Sequence, residues 1–220
     1  MGELPARLQA IFSAVGEALD ERRAELNQTD ELNHNHGDHM VEIFQLAARA
    51  GQEMQAAPLA DGMDHAAGLL RERTQNGSAQ VYARGLGLLA AQFRQRQIDL
   101  DDLLPVVQSY LGEPGESDRE ESTGSGEVLK GLMAALAEWE QVEASLAKGE
   151  AGQKPFGGVD MGYLFGVGMA YLQAKQKGGD RLDILSETVV SASPLGNVPH
   201  RHASGVIAVR ALLQAMRESV

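Results

Sequence analysis

The chain has 220 residues, of which 43% are hydrophobic, so it can bury the core of one large domain, and we expect a single domain over 1–220. It contains no cysteine, which excludes disulfides, thiol nucleophiles and thiolate metal sites. Its formal net charge of −12 opposes binding to nucleic acid and to anionic lipid, so an anionic ligand would need a metal ion or a local cationic pocket.

Apolar residues recur at three- and four-residue spacing along most of the chain, which predicts helices and no strand. We predict eight or nine helices, over about 6–26, 38–56, 63–73, 79–97, 99–111, 127–148, 161–177, 182–190 and 203–218. The predicted fold class is all-α, a single-domain antiparallel barrel or bundle of about eight helices. Asp99 is predicted to cap the fifth helix, and Asp61 or Asp64 the third. Polar residues and glycine fill 112–126, which predicts an exposed loop.

The N-terminal residues lack a charged region followed by an apolar core, so we expect no signal peptide. No run of about 18 apolar residues occurs, so we expect no membrane span. Together with the absence of cysteine, these features favour a cytoplasmic protein without membrane or nucleic-acid partners.

The most polar stretch is Asp30–His39, which is predicted to be a loop between the first two helices. Asp30, Asn35 and Asp38 offer hard oxygen ligands suited to magnesium or calcium. Three histidines add nitrogen ligands that suit zinc, manganese or iron: His34, His36 and His39. The alternative is a solvated loop, because Asn and Asp favour turns without any metal.

Three further breaks between predicted helices are rich in small polar residues: Asn76–Ser78, Thr123–Gly126 and Pro199–Gly205. In an up-and-down bundle alternate loops lie at the same end, so several of these breaks can converge with Asp30–His39. Short Gly/Ser turns that open a helix can cradle a phosphate group. They are also common helix starts without a ligand, and this alternative stays open.

The order and spacing of these motifs resemble the DhaL-type domain, the L subunit of dihydroxyacetone kinases. That family is an all-helical barrel of eight antiparallel helices, whose first loop reads Asp, four residues, then Gly-Asp-Gly-Asp-His-Gly. Asp30 matches the first aspartate, and Asp38 with His39 matches the Asp-His pair if one residue is inserted. Asn35 or His36, depending on the place of the insertion, stands where the family has its middle aspartate.

Later motifs of the family have weaker counterparts in the same order. Ser78 and Tyr82 match the family's phosphate-contacting turn, Gly-Gly-Thr/Ala-Ser-Gly-Pro-Leu-Tyr-Gly. The segment 123–128 corresponds to Pro-Gly-Asp-Lys-Thr-Met without its lysine, and 177–181 resembles a Lys-Gly-Arg segment. The segment 200–205 resembles His-x-Asp-Pro-Gly-Ala, with histidine in place of the aspartate.

The resemblance implies a function and a set of site residues. It implies a domain that binds ATP or ADP through Mg²⁺ for phosphoryl transfer to a triose or similar small substrate, which a partner kinase subunit carries. The implied metal ligands are Asp30, Asn35, His36 and Asp38. The implied cofactor-binding residues are His39, Asn76, Gly77, Ser78, Gly126, Arg181 and His202.

Two other functions stay open at this point. The histidines can bind a transition metal in a hydrolase or a metal-binding protein, with candidate ligands His34, His36, Asp38, His39, His200 and His202. The chain can also be a non-catalytic helical family member that keeps the barrel without the chemistry.

Overall fold

The computed structural model describes residues 4–73, 75–111, 123–148 and 161–218. Over these ranges the chain forms ten α-helices, one short 3₁₀ helix and no strand. The helices are α1 Leu4–Glu21, α2 Arg23–Thr29, α3 His36–Glu53, α4 Leu59–Arg71, α5 Gly77–Arg96, α6 Leu100–Leu111, α7 Thr123–Lys148, α8 Met161–Lys177, α9 Arg181–Ser191 and α10 Pro199–Glu218, with the 3₁₀ helix at Pro194–Asn197. The predicted all-helical class is confirmed for this part of the chain, with slightly more helices than predicted. None of these helices is long and apolar enough to cross a membrane.

The single helix predicted over 6–26 is wrong, because the structure has two helices there. Arg22 leaves helical geometry, with φ −106° and ψ 8°, and separates α1 from α2. The bend brings α2 against the start of α3, where Asn27 accepts hydrogen bonds from the first backbone N–H groups of that helix. A contact between two helices therefore overrides the continuous local pattern.

Three predicted loops turn out to be partly helical. Helix α3 begins at His36, inside the predicted loop 30–39. Helix α10 begins at Pro199, since proline at the first helical position loses no hydrogen bond. Thr123–Gly126 forms the first turn of α7, where backbone N–H groups need no partner within the helix, so the predicted loop 112–126 is too long. The remainder of that loop, 112–122, lies outside the described residues.

The predicted caps have mixed outcomes. Asp99 caps α6 as predicted, because its Oδ1 accepts hydrogen bonds from the backbone N–H groups of Asp101 and Asp102 at 3.0 and 3.2 Å. The prediction that Asp61 or Asp64 caps the third helix is wrong. That helix, α4, begins earlier, after Pro58. Both carboxylates instead form ion pairs with Arg94 of α5.

Apolar side chains fix the helices relative to one another. One core cluster joins α1 to α3 and includes Val15, Leu19, Met40 and Ile43, each at most 1% exposed. Burial of each large apolar side chain stabilises the fold by roughly 1.5–3 kcal/mol. The cluster also includes Ala79 of α5 and Ala208 of α10, so a shared core positions α3, α5 and α10.

Candidate functional site

The N-terminal ends of α3, α5 and α10 meet at one end of the molecule. His36 of α3 is hydrogen-bonded to Ser204 of α10, with 2.8 Å between Nε2 and Oγ. Asn76, directly before α5, donates from Nδ2 to the carbonyl oxygen of His39 at 3.2 Å. We call this surface, formed by residues 30–39, 76–78 and 199–204, the N-terminal rim. Three of the four polar segments expected to converge, 30–39, 76–78 and 199–205, therefore lie together in the structure.

Asp30 supplies a buried carboxylate to the rim. The residue is 5% exposed, and its Oδ1 accepts hydrogen bonds from the backbone N–H groups of Leu32 and Asn33, each at 3.3 Å. Burial alone would raise the pKa of Asp30, but backbone N–H donors of its own loop, together with nearby His200, hold that pKa below its ordinary value. Within the described ranges no basic side chain forms an ion pair with it. The rim thus contains an ionised carboxylate without a counter-ion.

His36 links α3 to α10 through its hydrogen bond to Ser204. Ser204 Oγ also lies 3.1 Å from the carbonyl oxygen of Arg201, and when its hydroxyl donates there, His36 Nε2–H is the donor to Ser204. The ring also packs edge-on against His200, with 4.6 Å between centroids. Burial, reinforced by neighbouring His200, lowers the pKa of His36 to about 4. The imidazole is therefore neutral at pH 7, and its Nε2 is not available to a metal ion.

Asn35 carries an oxygen without a hydrogen-bond donor. It precedes α3, yet its side chain does not cap the helix, and its Oδ1 is buried with no partner among the described residues. Asn27 of α2 provides the cap instead, since its Oδ1 accepts from the backbone N–H groups of Gly37 and Asp38 at 2.7 and 3.2 Å. The start of α3 is consequently not open to an anion, whereas Asn35 Oδ1 can accept a donor or a cation.

Asp38 faces α2 and is separated from this arrangement. Its Oδ2 accepts a hydrogen bond from Asn27 at 3.2 Å, its Oδ1 lies 3.9 Å from Arg23 Nε, and the side chain is 53% exposed. Across the described ranges no group of three or more His, Asp or Glu side chains has an arrangement that could hold a metal ion. The rim oxygens that remain as candidates to contact a hard cation are the Asp30 carboxylate and Asn35 Oδ1.

The turn before α5 is built from satisfied polar groups. Asn76 Oδ1 accepts from the backbone N–H of Ala79 at 2.9 Å, and Nδ2 contacts Glu42 Oε2 at 3.3 Å in addition to His39. Ser78 is 5% exposed. The structure thus brings the predicted residues Asn76, Gly77, Ser78 and His39 to the rim, and gives Asn76 a structural role there.

His202 and Arg181 lie on the α9 side of the structure, and the His202 ring is directed at α9. His202 Nε2 is 3.2 Å from Glu187 Oε1 of α9, on the side of α10 that faces α9. Arg181 follows Asp180, whose carboxylate pairs with Arg210. Arg210 lies eight residues after His202, about 12 Å along α10 at 1.5 Å per residue. His202 therefore contacts α9, and Arg181 begins α9 beside the ion pair of Asp180 with Arg210.

Gly126 lies at the opposite end of α5 from Gly77. Helices α5 and α7 run antiparallel. Arg84 in the first half of α5 pairs with Glu143 near the end of α7. Gly131, near the start of α7, instead lies beside the end of α5, since a Cβ there would be 3.0 Å from Ile98 Cδ1. Since α5 has 20 residues, its ends are about 30 Å apart. Of the four polar breaks, Thr123–Gly126 is the one that does not join the rim.

The sequence reasoning missed Arg201 and Ser204, and treated His200 only as a possible transition-metal ligand. The available signal was Pro199 at a helix start, which places His200 and Ser204 four residues apart on one helix face. Arg201 Nη2 lies 3.7 Å from where a Cβ on Gly77 would be. These residues complete the α10 side of the rim.

A separate groove of about 380 Å³ lies between α1 and α3. Its arginine, Arg49, pairs with Glu53, and the groove also contains Glu17 and Asp20. This charge distribution does not favour a phosphate ligand.

Comparisons with known proteins do not identify a family: no family model matches the chain, and neither a curated protein nor a solved structure matches it.

Proposed function

We propose that this chain is a divergent DhaL-type domain that binds ATP or ADP with a divalent cation at the N-terminal rim. One observation carries the proposal: among the described residues the buried, ionised carboxylate of Asp30 has no ion pair, and Asn35 Oδ1 of the same loop has no donor. Both groups belong to the segment that ends at the start of α3, beside the starts of α5 and α10. A cation bound with phosphate oxygens would be attracted to both.

Electrostatics supports a cation at this place. The pKa of Asp30 lies below its ordinary value, so the carboxylate is charged at neutral pH and can attract a cation. Mg²⁺ commonly binds through one or two carboxylates together with phosphate oxygens and water. In a chain of net charge −12, such neutralisation also favours the approach of a nucleotide to the rim.

The proposed reaction is phosphoryl transfer to a triose or a similar small substrate that a partner kinase subunit carries. Such transfer depends mainly on positioning and on neutralising charge at the phosphates, which metal ions and fixed donors provide. The rim residues would supply that environment, and the partner would present the acceptor hydroxyl.

The transition-metal alternative has less support. His36 Nε2 is committed to Ser204, and His202 faces Glu187 on the other side of α10. His36 and His202 therefore do not point their Nε2 atoms at one place. We propose no second function.

Calorimetric titration with Mg-ADP tests the proposal. We expect saturable binding by the wild-type chain and binding weakened by at least about tenfold in Asp30→Asn, because the substitution removes the anionic ligand. Asparagine keeps an oxygen that can accept from Leu32 and Asn33, so the loop should stay folded. Glu31→Gln is the matched control, since Glu31 is an exposed carboxylate in the same loop. Absence of binding at millimolar Mg-ADP, or equal affinity in the two variants, would refute the proposal.

A further inference from the structure

Arg201 has no anionic partner among the described residues, although the chain is strongly acidic. Its Nε is buried and has no hydrogen-bond partner, and no carboxylate pairs with its guanidinium within the described ranges. Other arginines of the chain do pair with carboxylates: Arg22, Arg23, Arg49, Arg73, Arg84, Arg94 and Arg210. An unpaired, half-buried cation in a chain of net charge −12 needs an explanation.

The surroundings of Arg201 are positive and lie at the rim. Its Nη2 is near the start of α5, 3.7 Å from the Cβ position of Gly77, and the N-terminal end of a helix carries a partial positive charge. Arg201 also lowers the pKa values of His36 and His200, although burial is the larger cause for both. Arg201 of α10 and the start of α5 are therefore neighbouring positive groups, and Asp30 acts on the same two histidines as Arg201.

The guanidinium has the shape that phosphate recognition requires. Its planar N–H donors match two phosphate oxygens at once, and such charge-assisted hydrogen bonds are about twice as strong as neutral ones. His36 is neutral, so it is not a second cation that would bind the anion in place of Arg201. No carboxylate of the described residues forms an ion pair with the guanidinium.

We infer that Arg201 binds a phosphate group directly. The place of that ligand rests on the proposed function. The rim then binds the diphosphate group of a nucleotide through two independent contacts: the cation held by Asp30, and the guanidinium of Arg201. It follows that a free diphosphate anion binds at the rim without any divalent cation.

The test is a calorimetric titration of the wild-type chain with sodium pyrophosphate in EDTA at low ionic strength. We expect saturable binding that weakens as salt is added, because the contact is electrostatic. Arg201→Ala should weaken the affinity by at least about tenfold. Arg201→Lys should be intermediate, since lysine keeps the charge and loses the planar fork. Arg217→Ala is the matched control, because Arg217 is exposed in the last turn of the same helix.

Two results would overturn the inference: no binding of pyrophosphate by the wild-type chain, or equal affinity in Arg201→Ala and Arg217→Ala. Arg201→Gln keeps the length without the charge and replaces Arg201→Ala if that variant does not fold, as judged by circular dichroism. The outcome is separable from that of the proposed function. Mg-ADP binding without metal-free pyrophosphate binding refutes only the role of Arg201. Pyrophosphate binding without Mg-ADP binding refutes only the nucleotide-and-cation proposal.

Discussion

Replacing Gly37 by alanine tests how closely α2 packs on the start of α3. A Cβ at this position would lie 2.3 Å from the carbonyl oxygen of Arg23 and 2.9 Å from Asn27 Oδ1. The nearer atom belongs to the backbone, so relief requires a shift of α2 rather than of a flexible side chain. That shift also weakens the hydrogen bonds from the N–H groups of Gly37 and Asp38 to Asn27, which cap α3.

The expected cost follows from these two effects. Overpacking costs about 1–3 kcal/mol, and loss of a helix cap costs about 0.5–2 kcal/mol. We therefore expect Gly37→Ala to lower the free energy of unfolding by roughly 2–4 kcal/mol. In a chain of this size each kcal/mol corresponds to roughly 2–4 °C in Tm.

Urea unfolding followed by circular dichroism measures this cost, with Gly68→Ala as the matched control. Gly68 lies in α4, and no atom lies within 4 Å of its Cβ position. Alanine there should leave stability unchanged or raise it by about 0.5–1 kcal/mol, because alanine favours helix more than glycine does. If Gly37→Ala is as stable as Gly68→Ala, the close packing of α2 on α3 is refuted.

The remaining predictions concern the buried contact between α3 and α10. Because the pKa of His36 is lowered to about 4 in the folded chain, the unfolded chain binds more protons below pH 6.5. The contribution of His36 to stability is therefore fully present above pH 6.5 and decreases as the pH falls, by about 3 kcal/mol at pH 4. Urea unfolding at pH 7 and pH 4.5 should show that the free energy of unfolding decreases less in His36→Gln than in the wild-type chain. Equal decreases would contradict the lowered pKa of His36. Ser204→Ala removes the acceptor for His36 Nε2–H and should cost about 1–3 kcal/mol at pH 7, with no loss expected if the two side chains do not interact.

Local pattern predicts the helical class and several element ends, because those depend on neighbouring residues. Helix α8 has the predicted bounds, and Gly178 and Gly179 follow it with φ of 80° and 113°, values that glycine adopts without strain. The Asp99 cap is equally local, since its partners lie two and three residues along the chain. Apolar spacing likewise places Val15 and Leu19 in the core.

The start of α3 could not be predicted in this way, because distant residues determine it. The cap from Asn27 comes from another helix, and the hydrogen bond between His36 and Ser204 joins residues 168 positions apart. The resemblance to DhaL-type domains left open whether Asn35 or His36 aligns with the middle aspartate of that family, and this alignment stays a prediction. Among the described residues Asn35 Oδ1 has no hydrogen-bond partner, whereas His36 is hydrogen-bonded to Ser204.

A crystal structure of the chain with Mg-ADP is the most direct test of binding at the rim. The account predicts electron density for a cation at about 2.0–2.1 Å from a carboxylate oxygen of Asp30, with a phosphate group between that cation and Arg201. A nucleotide bound elsewhere, such as in the groove between α1 and α3, or a rim without nucleotide at millimolar Mg-ADP, would contradict it.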